Sequence, residues 1–169
     1  NGRSLLFLDT PGHARHHYSI YDERSRGFFT GDTFGMAYQE LASPTLPYII
    51  PTTSPVQFDP EAWYRTLLRY LTYQPERMFL THYGMVEHVE QLAEDLRRRI
   101  EKYVDIAEAC EDSENRSELI IAKIAESTFS ELRGLNCLMP MAACKGFLKM
   151  DFDINTQGLE VWLDNKARA

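Results

Sequence analysis

Cysteine is scarce in this chain: Cys110, Cys137 and Cys144 are the only three in 169 residues, widely spaced and never as C-x-x-C. That argues against a disulfide framework, and the three read as reduced thiols of a cytoplasmic protein, buried like small apolar residues. Long apolar runs are also missing. None approaches the roughly 20 residues that span a bilayer, and no charged-then-apolar leader with a cleavage site opens the chain. Positive charge is in deficit, with 18 Lys and Arg against 25 Asp and Glu and a formal net charge of −7. Such a surface repels phosphate backbones, so nucleic acid is not the expected partner, and without an apolar span neither is a membrane. There is no internal repeat and no low-complexity tract. What remains is a 44% hydrophobic chain with enough residues for an ordinary globular core.

Residues 1 to about 55 read as short strands and loops. Leu5-Leu6-Phe7-Leu8 is a continuous apolar run, the pattern of a strand buried on both faces. "HHYSIYDERSRGFFTGD" reads as a hairpin with "DERSRG" as its polar turn. Pro44, Pro47, Pro51 and Pro55 then mark a long loop. Asp59 is placed to cap a helix with Pro60 at its first position, and Trp63, Leu67, Leu68 and Leu71 follow at helical spacing. "ERMFLTHYG" reads as a strand ending in a turn, so helix and strand alternate as in an α/β fold. From about Val86 the pattern becomes helical. Val89, Leu92, Leu96, Ile100 and Tyr103 form one stripe, with Glu87, Glu90 and Glu94 early and Arg97, Arg98, Arg99 and Lys102 late, as the helix dipole favours. The stripe is read as core or as the face of a homodimer, and the Arg97–Arg99 run as a solvated face. A second helix is expected over 117–132, a third over much of 139–149, and a last amphipathic piece carries Leu159, Val161, Trp162 and Leu163.

Three side chains with metal-binding chemistry share one context. His13 follows the apolar run and a Pro-Gly turn, Asp32 follows "FFTG", and His82 follows "MFLT". Imidazole is the commonest metal ligand and carboxylate the usual bridge between two cations. Ligands just past strand ends converge in an α/β fold, because those ends lie side by side. Each residue also has an ordinary reading: His13 as a turn histidine, Asp32 as Gly-Asp turn chemistry, and His82 as a hydrogen-bonded strand-end histidine.

In this order, "TPGHARHH", "FFTGDTFG" and "LTHYG" resemble the second half of the metallo-β-lactamase superfamily. The resemblance implies half of an αββα sandwich over residues 1–84, with 85–169 a helical C-terminal extension. It implies His13 as a ligand of the first metal, His82 of the second and Asp32 as the bridge, with catalysis through hydroxide held between two divalent ions. His17 matches a position that is usually histidine without being a ligand, so it would support the ligands from behind. Tyr83 would line a substrate pocket or simply pack; His16 and His88 read as surface residues. Zinc is the default metal, with iron or manganese as alternatives. Candidate substrates are small-molecule esters, thioesters, lactones and phosphodiesters.

The departure is that the family's H-x-H-x-D-H loop is absent, since the five histidines are His13, His16, His17, His82 and His88. A catalytic zinc takes three protein ligands and an open position. Three ligands shared by two metals fall short of that, so residues 1–169 are expected to be a fragment that is not a competent hydrolase alone. A noncatalytic binding or assembly module and a di-iron redox protein stand as the other readings; metal content separates them.

Overall fold

A computed structural model describes residues 2–53 and 57–168. Pro55, counted above in the proline-marked loop, lies outside the described residues. Five strands form one sheet in the order β1-β2-β3-β4-β5: β1 Leu5–Asp9, β2 Tyr18–Asp22, β3 Gly27–Phe29, β4 Arg77–Phe79 and β5 Met85–Val86. β1/β2 and β2/β3 pair antiparallel, β3/β4 parallel and β4/β5 antiparallel. Two antiparallel steps restore the starting direction, so β1, β3 and β4 all run the same way. Their C-terminal ends therefore share one sheet edge, where His13, Asp32 and His82 follow.

The connection from β3 to β4 contains α1, Pro60–Leu71. Asp59 caps it by accepting the Ala62 amide at 2.9 Å, and Pro60 occupies the first turn, where no backbone donor is needed. α1 lays Trp63, Leu67 and Tyr70, all buried, onto the sheet face that carries Leu8, Phe28 and Met78. The Tyr70 ring lies 4.8 Å from that of Phe28, and its hydroxyl meets Ser19 Oγ at 2.6 Å.

β1 departs from the reading of a strand buried on both faces: only Leu8 is buried, while Leu5, Leu6 and Phe7 are exposed. The cause is position. β1 is the outer strand, and the helices cover one side of the sheet. The pairing register puts Phe7, Ile20, Phe29, Phe79 and Met85 on the opposite side. There Phe7, Phe29 and Met85 are 63%, 46% and 46% exposed, so an apolar sheet face lies open.

α2, Val89–Glu108, buries the whole stripe Val89, Leu92, Leu96, Ile100 and Tyr103, each full burial being worth about 1.5–3 kcal/mol. Arg99 corrects the solvated reading of Arg97–Arg99. It is buried, donating to Glu131 Oε2 at 2.9 Å and to the Ile49 carbonyl at 2.8 Å, with its guanidinium 3.9 Å over the Tyr48 ring. α3, Arg116–Gly134, runs beyond the expected span and buries Ile120, Ile124 and Leu132, leaving Leu119 and Phe129 half-buried. α4 is the short Met141–Phe147, and the final amphipathic piece is the end of a much longer α5, Lys149–Lys166. One continuous cluster of buried side chains runs from Leu8 to Leu163, joining the sheet, α1 and the later helices. Cys110 and Cys144 are buried free thiols and Cys137 is half-buried. Among the described residues no helix is long and apolar enough to cross a membrane.

Candidate metal centre

The turn that carries His13 is held by α1. The Asp59 amide donates to Gly12 O at 2.9 Å, and Thr66 Oγ1 donates to Pro11 O at 2.7 Å. Gly12 has φ +139°, and a Cβ there would stand 2.5 Å from the Trp63 backbone, so only glycine lets the turn lie this close to the helix. His13 is consequently buried, with its ring edge-on to Trp63. Its Nδ1 lies 2.6 Å from the Thr52 carbonyl, which can only accept; Nδ1 therefore carries the proton and Nε2 keeps its lone pair. Burial is the main influence on the His13 pKa and holds it below the ordinary value, against the Thr52 hydrogen bond, leaving the neutral ring a ligand requires.

Asp32 sits in the turn after β3. Its carbonyl accepts Gly35 N at 3.0 Å and Thr52 Oγ1 at 2.7 Å. Its carboxylate offers a different oxygen to each histidine: Oδ2 is 3.7 Å from His13 Nε2, and Oδ1 is 3.5 Å from His82 Nε2. Both separations exceed hydrogen-bond length. Oδ1 is buried with no hydrogen-bond partner among the described residues, which is costly for a carboxylate oxygen unless a cation satisfies it. Two donor atoms on one tetrahedral zinc, each about 2.0–2.1 Å from it, stand about 3.3–3.5 Å apart. The two spacings are near such an edge, so the donor set and its orphaned oxygen fit a divalent cation.

The side chains of His13, Asp32 and His82 thus converge, with Asp32 between the histidines. His82 is about half exposed and lies at the rim. His17 comes closer than its expected supporting place. His13, His17 and Asp32 each contribute one ligand-type atom to a group lying within 4.8 Å of one another. The His17 ring packs edge-on to His13 at 4.8 Å, and burial lowers its pKa. Gly31, at φ +56°, leaves room for it: a Cβ there would be 2.4 Å from His17 Cε1. His16 and His88 are exposed.

Tyr83 follows His82 at φ +71°, an uncommon conformation for an aromatic residue. Its half-exposed ring lies tilted against that of Tyr38, centroids 4.2 Å apart, and Tyr38 packs on Phe147 and donates from its hydroxyl to Asp151 Oδ1 at 3.0 Å. The sequence reading missed Thr52, whose carbonyl and hydroxyl hold His13 and Asp32 together. "PTT" in a proline-marked loop has no periodicity to betray it.

Against known proteins, the sequence model of the Metallo-beta-lactamase superfamily matches residues 1–82. The metallo-beta-lactamase fold-containing protein ST1585 of Sulfurisphaera tokodaii is 32% identical over 111 residues, covering 62% of this chain and 38% of its own length. The crystal structure of the metallo-beta-lactamase family protein TTHA1429 from Thermus thermophilus superposes with a TM-score of 0.54 at 20% identity, over 98% of this chain and 46% of that one. The chain thus spans less than half the length of either relative, and the second likeness is one of fold.

Proposed function

Because residues 1–82 match the sequence model of the metallo-β-lactamase superfamily, we propose that this chain is part of a metal-dependent hydrolase whose cations lie between His13, Asp32 and His82. The observation that carries the reading is the Asp32 carboxylate, with one oxygen toward each histidine and, among the described residues, no hydrogen bond to Oδ1. One oxygen per histidine is the arrangement of a bridge between two cations. His13 would hold one ion through Nε2, with its Nδ1–H donated to the Thr52 carbonyl, and His82 the other at the open rim. His17 stands near enough to be an additional donor on the His13 side. A bound divalent ion, with zinc the first choice, supplies Lewis acidity toward a scissile carbonyl or phosphoryl group and lowers the pKa of water toward neutrality. The chain's own residues orient: Asp32 sets the spacing of the histidines, and Tyr83 stands beside His82 where an ester, thioester, lactone or phosphodiester would enter.

These residues supply fewer donors than two metals need, so on this reading residues 1–169 alone bind metal weakly and turn substrate over poorly. The test is elemental analysis of the purified chain after zinc, iron or manganese loading, with an ester, thioester and phosphodiester panel. Metal retention abolished by Asp32→Ala and by His13→Ala supports the centre; retention unchanged in both variants refutes it. Iron with redox activity and no hydrolysis would replace the hydrolase by a redox protein.

A further inference from the structure

Helix α5 approaches the ligand edge and meets it through a polar side chain where packing alone would favour an apolar one. Asn155 is 3% exposed, and Thr53, its partner, is fully buried. Asn155 Oδ1 accepts the Thr53 amide at 2.6 Å, and Thr53 Oγ1 lies 3.0 Å from that oxygen and 2.9 Å from the Asn155 carbonyl. The Thr53 N–H belongs to the same peptide group as the Thr52 carbonyl, and that carbonyl holds His13 Nδ1 at 2.6 Å. A peptide group is planar with its N–H and C=O pointing in opposite directions. Gripping the N–H from one side therefore aims the C=O at the other.

We propose that Asn155 is a positioning residue for the metal centre: it pins the 52–53 peptide plane from α5, and that plane sets the tautomer and ring orientation of His13. The consequence for metal rests on the reading given above; the consequence for His13 does not. The Thr52 hydroxyl, on the same residue, holds the Asp32 carbonyl at 2.7 Å, so a rotated peptide also loosens the Asp32 turn. On this account the helical extension builds the ligand edge as well as covering the core. Partners that orient metal-binding histidines change metal affinity about 10–100-fold when removed.

The experiment uses the full 169-residue chain, metal-free, with ¹⁵N-labelled histidine at about pH 8, where an imidazole is neutral. In the native chain the long-range ¹H–¹⁵N spectrum should show His13 as a single Nδ1–H tautomer. Asn155→Ala should mix the tautomers and weaken Zn²⁺ binding about tenfold or more, and Asn155→Asp, which keeps the acceptor, should restore both. Thr53→Val keeps the amide and should leave the tautomer unchanged. Asn155→Leu preserves volume and stands in if the alanine variant does not fold. A folded Asn155→Ala or Asn155→Leu chain with an unaltered His13 tautomer and zinc affinity within twofold of native overturns the proposal. A native chain that binds no zinc, yet shows His13 responding to Asn155→Ala, supports the positioning and overturns the metal centre.

Discussion

Replacing Arg99 and Arg97 in turn with methionine separates two neighbours that the sequence presents as alike. Methionine keeps much of the aliphatic bulk, so the change reads mainly the guanidinium. Arg97 pairs with Glu94 at 2.7 Å and Glu101 at 3.1 Å on the helix exterior. Exposed pairs of this kind are worth about 0.3–0.5 kcal/mol each, and the loss should stay below about 1 kcal/mol. Arg99 is different. Its removal strands the carbonyl of the fully buried Ile49, worth about 1–3 kcal/mol. It also takes the better-buried cation from Glu131, where breaking a wholly buried pair costs about 3–5 kcal/mol. Glu131 is 21% exposed and keeps Arg98 at 3.3 Å, so only part of that second figure applies. Together these give about 3–4 kcal/mol. With a urea m-value of about 2 kcal/mol/M, the midpoint should fall by about 1.5–2 M for Arg99→Met and by under about 0.5 M for Arg97→Met. Restoring part of the loss by adding Glu131→Leu would identify the stranded carboxylate as the cause. Equal midpoints for the two single variants would refute the assignment of Arg99 to the interior.

Three further outcomes follow from the same geometry. Leu96 is fully buried, so Leu96→Asp should cost about 4 kcal/mol or more and lower the thermal midpoint by roughly 8–16 °C; an unchanged midpoint would put the α2 stripe on the surface. Gly31→Ala should cost about 1–2 kcal/mol for the positive φ and displace the His17 ring, and unmoved His17 resonances would disprove that contact. Arg3 and Ser25 hydrogen-bond the Asp22 carboxyl and hold it well below its ordinary value of 3.8, so the group stabilises the fold above that value and the benefit is lost as pH falls toward its folded value. The stability gap between native chain and Arg3→Met should therefore be widest near neutrality and close in strong acid; a gap independent of pH would remove Asp22 from that role.

Much of the fold was legible because the signals were local. Asp59-Pro60 marks a helix start by capping chemistry, the Val89-to-Tyr103 stripe marks a buried face by period, and "DERSRG" marks a turn by composition. The shared strand-end context of His13, Asp32 and His82 was legible for the same reason. Their convergence depended on β1, β3 and β4 running in one direction, a property of the pairing. β1 shows the limit. An apolar tetrapeptide records that a strand is apolar, while its place at the sheet's edge decides whether Leu5, Leu6 and Phe7 meet protein or water.

The sequence by itself determined most element types, the apolar stripe of α2, the family resemblance and the residues with ligand chemistry, since each resides in a residue type or a short spacing. Only the tertiary structure decided which arginine of three is buried, how near His17 comes to Asp32, and that Asp32 turns one oxygen to each histidine. It alone joined Thr52 and Thr53 to Asn155, about a hundred residues away along the chain. The physical reason is that burial and hydrogen-bond partnership are set by what lies across a contact. That neighbour comes from chain distant in sequence, and neither period nor propensity encodes it.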